Sequence, residues 1–256
     1  MAELSPPSES AETTGHPRWV RISHWLVALS FLALAFTGYV ILMCHPRLYW
    51  GEVGNDLTPA FLELPISRNH QHGGWEANEP IGQKAASPVS ASRTYEIFNE
   101  NSWARSLHFL AGWFLVVPGA VYLLAGISTG HFPRILWPQA GELTARKLGQ
   151  EVIDHLRLRI RPATGGPQYG LLQKCAYCAV VFIALPLAVL TGLAMSPAIT
   201  AGYPILGSLF GGFQSARTIH FFAAVVLVLF LLVHVVMVVR SGFLRQMRGM
   251  TLGSKP

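Results

Sequence analysis

The sequence predicts an all-α integral membrane protein, a four-transmembrane-helix bundle with one long loop on its outer side. Composition is the first reason: 51% of the 256 residues are hydrophobic and 12% are charged, against about 25% charged in an ordinary soluble domain. The second is four apolar runs, at about 25–44, 107–127, 171–195 and 219–239, each near the roughly 20 residues that cross a bilayer. Hydrocarbon offers no water to hydrogen-bond, so each run must satisfy its own backbone as a helix.

The elements follow in chain order. Residues 1–18 are rich in Ser, Glu and Pro and read as a disordered tail. They lack the apolar core and small-residue cleavage site of a secretory signal. The bundle occupies 19–245, and 246–256 form a second tail. Between the first two spans, about 45–103 is far longer than a helix connection requires. It carries Glu52, Asp56, Glu63, Glu76, Glu79, Glu96 and Glu100 and few basic residues. Basic residues gather elsewhere: Arg18 and Arg21 before the first span, Arg134, Arg146, Lys147, Arg157, Arg159, Arg161 and Lys174 between the second and third, and Arg240, Arg245, Arg248 and Lys255 after the fourth. The positive-inside rule then places both termini and the second loop in the cytoplasm and the long loop outside. The formal charge of +6 is thus explained by topology, and no nucleic-acid partner is expected. Cys44, Cys175 and Cys178 are an odd number and imply no disulfide framework. CAYC at 175–178 lacks the His of a c-type haem attachment site and reads as small residues for helix packing.

Four of the ten histidines lie within spans. Three sit in near-identical settings, VRISHW (20–25), ARSLHF (104–109) and ARTIHF (216–221); the fourth is His234. Ionisable residues inside a membrane mark functional sites by default. His220 and His234 share a helix, about 21 Å apart and within about 40° of one face. Depth pairs His24 with His234 near the cytoplasmic side and His108 with His220 near the outer side. Zinc needs about four converging ligands, and these pairs are too far apart to share one ion. A proton relay would need closer spacing or carboxylates, and the spans hold no Asp or Glu. Two facing imidazoles at each of two depths suit two bis-His haems b between the helices, the four histidines being the iron ligands.

The repeated Arg has two readings. Arg21, Arg105 and Arg217 either pair with haem propionates through their fork geometry or snorkel to the headgroups; the triple repeat favours propionates. Gly38, Gly112 and Gly192 lie at depths where a macrocycle needs backbone clearance, and plain helix packing accounts for them equally. His45 and His131 are rival ligands at the far ends of their spans. Met43, Met195 and Met237 are further formal candidates. NHQH at 69–72 is a thin metal signal.

The stretches RISHW, ARSLHFLAGW, YGLLQKCAY (169–177) and ARTIHF with His234 fourteen residues later resemble the bacterial four-helix di-haem cytochrome b family. Its members include the membrane subunits of formate dehydrogenase, Ni–Fe hydrogenase and thiosulfate reductase. The likeness covers all four spans; the long outer loop departs from it. The resemblance implies a multi-pass protein of the bacterial inner membrane with two haems b, exchanging electrons with quinone. The function expected is a membrane electron-transfer subunit linking an extracytoplasmic redox subunit, such as a molybdenum-cofactor oxidoreductase, to the quinone pool. Tyr169, Gln173 and Lys174, near His24 and His234, can hydrogen-bond a quinone carbonyl; interfacial anchoring explains Tyr and Lys equally. The rival expectation is a stand-alone di-haem oxidoreductase passing electrons from a small molecule such as superoxide to quinone.

Overall fold

The computed structural model describes residues 16–55, 58–67, 101–157 and 169–253. Among the described residues, four helical spans are long and apolar enough to cross a membrane: Arg18–Cys44, Trp103–Ser128, Leu171–Ala194 and Phe213–Arg240. Helix α1 is Arg18–Cys44 and α2 is Asn101–Ser128. The third span has three parts, α4 (Leu171–Ala179), a π-helical turn at Val180–Ala184 and α5 (Leu185–Ala194). The wide turn lies just before Pro186, whose missing N–H breaks the regular hydrogen-bond ladder. The fourth span is α8, Phe213–Arg240.

Small residues set the packing. Ser23, Ser30, Thr37 and Cys44 are the buried positions seven apart along α1, and Ala104 and Ala111 repeat that spacing on α2. Such residues bring helix backbones close where no hydrophobic effect drives association. α1 and α2 make the most extensive interhelical contact, followed by α5 and α8. The bundle is therefore two hairpins, α1–α2 and α4/α5–α8. Large apolar side chains such as Leu29, Phe36, Leu110, Leu190 and Val226 stay exposed, as a lipid-facing surface requires.

Four short helices were not anticipated from the sequence. In the second loop, α3 (Ala145–Leu156) starts at Thr144, whose hydroxyl accepts from Lys147 N–H. Glu151 of α3 accepts the N–H groups of Leu171 and Leu172 at 3.1 and 2.8 Å, so it caps the third span. Small helices α6 (Pro197–Gly202) and α7 (Ile205–Leu209) join the third span to the fourth. After α8, Gly242 adopts φ +102° and α9 (Phe243–Thr251) folds back against α1. There Arg21 and Trp25 donate to the carbonyls of Thr251 and Met250 at 2.9 and 3.0 Å. The segment expected as a tail from 246 is thus helical to Thr251, and the boundary expected at 245 falls inside α9. At the other end α1 already begins at Arg18; residues 1–15 lie outside the described residues.

The long loop starts with order. Strands β1 (Arg47–Leu48) and β2 (Leu62–Glu63) pair antiparallel, Arg47 opposite Glu63. Leu48 and Tyr49 are buried. This segment caps α8: Gly51 C=O accepts from Gln214 and Ser215 N–H at 3.0 and 3.1 Å, and a Glu52 carboxylate oxygen accepts from Phe213 N–H at 3.0 Å. A carboxylate there satisfies an orphan donor and faces the positive end of the helix dipole. Gly212, at φ +109°, passes so close that a Cβ would lie 2.7 Å from Gly51 and Glu52 atoms.

Candidate functional site

The four intramembrane histidines meet as two facing pairs. His108 of α2 and His220 of α8 lie at the end of the bundle that carries the long loop, with ring centroids 6.2 Å apart. His24 of α1 and His234 of α8 lie at the end carrying the termini, 6.3 Å apart. Two metal–nitrogen bonds of about 2 Å, plus about 1.1 Å from each nitrogen to its ring centre, give a separation of about 6.2 Å. Each pair is therefore spaced to grip one iron between its rings. Among the described residues no group of three or more His, Cys, Asp or Glu could hold a metal ion.

The loop-end pair is built twice from the same parts. On α1, the Thr37 hydroxyl donates to Ala33 C=O at 2.7 Å, so its oxygen accepts from His108 Nδ1 at 2.9 Å. On α5, the Thr191 hydroxyl donates to Leu187 C=O at 2.7 Å and stands 3.0 Å from His220 Nδ1. Ala188 C=O is a second acceptor for His220 Nδ1, at 2.9 Å; the Ala188 and Leu34 carbonyls also lie 3.1 and 3.3 Å from the Thr191 and Thr37 hydroxyls. The two threonines thus use carbonyls at the same offsets, four and three residues back. The following glycine completes each half. A Cβ on Gly38 would lie 3.4 Å from His108 Cε1, and one on Gly192 3.5 Å from His220 Cε1. Carbonyls can only accept, so Nδ1 carries the proton in His220, and the Thr37 geometry assigns the same to His108. Nε2 then keeps its lone pair for a metal.

The termini-end pair is held differently. His24 Nδ1 is buried with no hydrogen-bond partner among the described residues. The His24 ring meets the edge of Trp25 at 5.2 Å, and His234 stacks on Phe230 at 5.8 Å. Aromatic contacts run on from Phe230 to Tyr177 and from Tyr177 to Tyr169. Tyr169 in turn faces His16 at 6.5 Å. Burial raises the Tyr169 pKa above its ordinary value. Burial lowers that of His16, and His131 and Arg21 push it further the same way.

A family model described as prokaryotic cytochrome b561 matches residues 15–253. The chain belongs to the prokaryotic cytochrome b561 family. As a cytochrome b561 it is a multi-pass membrane haem protein of electron transfer. A relative from Azospira oryzae, provisionally named protein-methionine-sulfoxide reductase subunit YedZ1, is 29% identical over 223 residues, 87% of this chain and 89% of the relative. No solved structure matches.

The other expected site residues of this cytochrome b561 have varied surroundings. Arg217 donates to the carbonyls of Arg47 (2.9 Å) and His45 and to Gln214 Oε1, so its guanidinium anchors the loop. Arg21 is tied to α9. Arg105 is exposed. A Cβ on Gly112 would meet nothing within 4 Å among the described residues, so that glycine leaves open space at its α-carbon. Gln173 accepts from Gly170 N–H, and Lys174 is buried and pairs with Glu142 at 2.9 Å. That hydrogen bond from Lys174, with one from Gln139 N–H, holds the Glu142 carboxyl below its usual range. Of the rival ligands, His45 stacks on Tyr49 and His131 meets the edge of Trp19. NHQH lies outside the described residues. Sequence reasoning missed Thr37 and Thr191. The repeated TG at 37–38 and 191–192 was the available signal, but only its glycines were considered.

Proposed function

We propose that this chain is a di-haem electron-transfer subunit of the bacterial inner membrane, exchanging electrons between an extracytoplasmic reductase and the quinone pool. Two facing imidazole pairs with centroids 6.2 and 6.3 Å apart carry this reading, since that is the spacing for an iron between two rings. His108 and His220 would ligate one haem b, His24 and His234 the other. A bound haem supplies a one-electron ferrous–ferric couple, which the protein supports with ligands, orientation and dielectric.

The termini end carries Arg18, Arg21, Arg134, Arg146, Lys147, Arg240, Arg245 and Arg248 and faces the cytoplasm on the positive-inside rule. The loop end then faces outward. The relative's name makes that protein a subunit of a reductase acting on oxidised methionine in proteins. This favours a protein partner at the loop end over a stand-alone enzyme. Quinone would bind at the termini end beside Tyr169, from which aromatic rings lead to His234. Gln173 and Lys174 frame that region, with their own partners in Gly170 and Glu142.

The test is a pyridine haemochrome assay on protein purified from native membranes, with a search for stoichiometric companions. Two haems b per chain and a co-purifying external reductase are expected. One haem, or a c-type spectrum, ends the di-haem reading. A lone chain that reduces quinone from a small-molecule donor ends the partnered one.

A further inference from the structure

The two loop-end histidines are held by a repeated device that has no counterpart at His24 Nδ1 among the described residues. Each has Nδ1 at 2.9 or 3.0 Å from a threonine hydroxyl oxygen whose own proton goes to a helix carbonyl. Both threonines are fully buried. A buried threonine in a membrane helix normally satisfies its hydroxyl within its own helix. Thr37 and Thr191 do that and use the remaining lone pair on a ring of the neighbouring helix. The contact is thus more than local satisfaction of a polar group.

We propose that Thr37 and Thr191 are positioning residues that hold His108, and together with the Ala188 carbonyl His220, as the Nδ1–H tautomer and set the potential of the haem these histidines bind. The proposal rests on the di-haem reading. An imidazole whose Nδ1–H donates to an acceptor is a more basic ligand through Nε2. A more basic ligand favours ferric over ferrous iron, so the bond lowers the potential of the loop-end haem. Second-shell hydrogen bonding is an established lever on haem potential. His24 Nδ1 has no such partner among the described residues, so the termini-end haem lacks this contribution at that ligand. The threonines therefore separate the two haems in potential by an amount that a near-isosteric change can remove.

The experiment uses full-length protein in detergent or nanodiscs. Thr37→Val and Thr191→Val keep the shape and delete the hydroxyl; Thr37→Ser and Thr191→Ser keep the hydroxyl. Each Val variant should raise the loop-end midpoint, seen as a several-fold higher ferrous-to-ferric ratio at the wild-type midpoint. Its low-spin EPR g values should change, with the other haem unmoved. The Ser variants should behave as wild type. His220→Ala identifies which signal belongs to the loop end. In haem-free protein, ring nitrogen NMR should show Nδ1 protonated at His108 and His220, and a tautomer mixture at His108 in Thr37→Val.

Both Val variants matching wild type in midpoint and g values overturn the proposal. Where a Val variant loses the loop-end haem, retention in the Ser variant supports it. Loss in the Ser variant as well overturns it, because the methyl group is then what matters. Wild-type haem content decides the di-haem reading separately, and the haem-free tautomers decide the role of the threonines even if that reading falls.

Discussion

At the loop end the imidazoles are fixed by hydrogen bonds to Thr37, Thr191 and helix carbonyls, flanked by glycines. At the termini end they are fixed by aromatic contact with Trp25 and Phe230. Pair separation is nearly the same, 6.2 against 6.3 Å, so the difference lies in what surrounds each ring. Hydrogen bonds define a tautomer and a direction. Aromatic contact defines a position and leaves the electronic state of the ring to other neighbours. One chain thus uses two methods to present the same side chain, and the two sites should respond to different perturbations.

The largest expected effect tests whether the two sites are independent. His220→Ala should remove the loop-end haem and leave the other, and His24→Ala should do the reverse, each cutting the haemochrome yield from two to one. Loss of the same haem from both variants would dissolve the distinction between the ends. Next comes clearance beside the ring. Gly38→Leu should displace His108 and lower loop-end haem content. Gly119→Leu, where a Cβ meets nothing within 4 Å, serves as the control. Equal haem loss from both would show that bulk anywhere on a hairpin is harmful, and the glycine would have no special place.

The loop anchor should separate the ends in stability. Arg217→Met removes the donor to the Arg47 and His45 carbonyls, a cost of about 1–3 kcal/mol for each group left unsatisfied. Thermal unfolding should shift down, and protease should cut within 45–55 while the termini-end spectrum stays unchanged. A termini-end change of equal size would mean the ends are coupled. The smallest effect belongs to Glu142. Its carboxyl pKa is lowered in the folded state, so its contribution is present above the ordinary carboxylate range and lost as pH falls through the lowered value. Glu142→Gln should be slightly less stable than wild type at pH 7 and indistinguishable at strongly acid pH. A gap that persists in acid would assign the effect to something other than the Lys174 pair.

The spans and the histidine pairing could be read from the sequence because both rest on simple periodicity. Twenty apolar residues measure a bilayer, and fourteen residues return a helix to nearly the same face. The threonine contacts could not, since Thr37 and His108 are 71 positions apart and meet only once α1 and α2 pack. The role of Arg217 was hidden for the same reason: Arg-x-x-His suggests a ligand for a nearby acid, while the loop carbonyls it holds lie about 170 residues earlier in the chain. Helices α3 and α9 went unseen because both are short and amphipathic, and no long apolar run marks them.

The likeness of the two hairpins stops halfway along the bundle. Ala-Arg-x-x-His-Phe opens both α2 and α8, and each hairpin contributes one Thr-Gly to the loop end. Fourteen residues after His220 stands His234; fourteen after His108 stands Tyr122. Tyr122 packs on Trp19 and on the buried ring of Phe132, which meets Phe182 in turn. A Cβ on Gly126 would run into that same Phe132 ring. The approximate two-fold symmetry of the loop end is therefore broken at the other, where one flank keeps its imidazoles and the opposite flank is plugged by aromatic side chains. A small molecule arriving at the termini end meets a handed surface, with the facing imidazoles of His24 and His234 on the α1 and α8 side and the Tyr122 and Phe132 rings on the other.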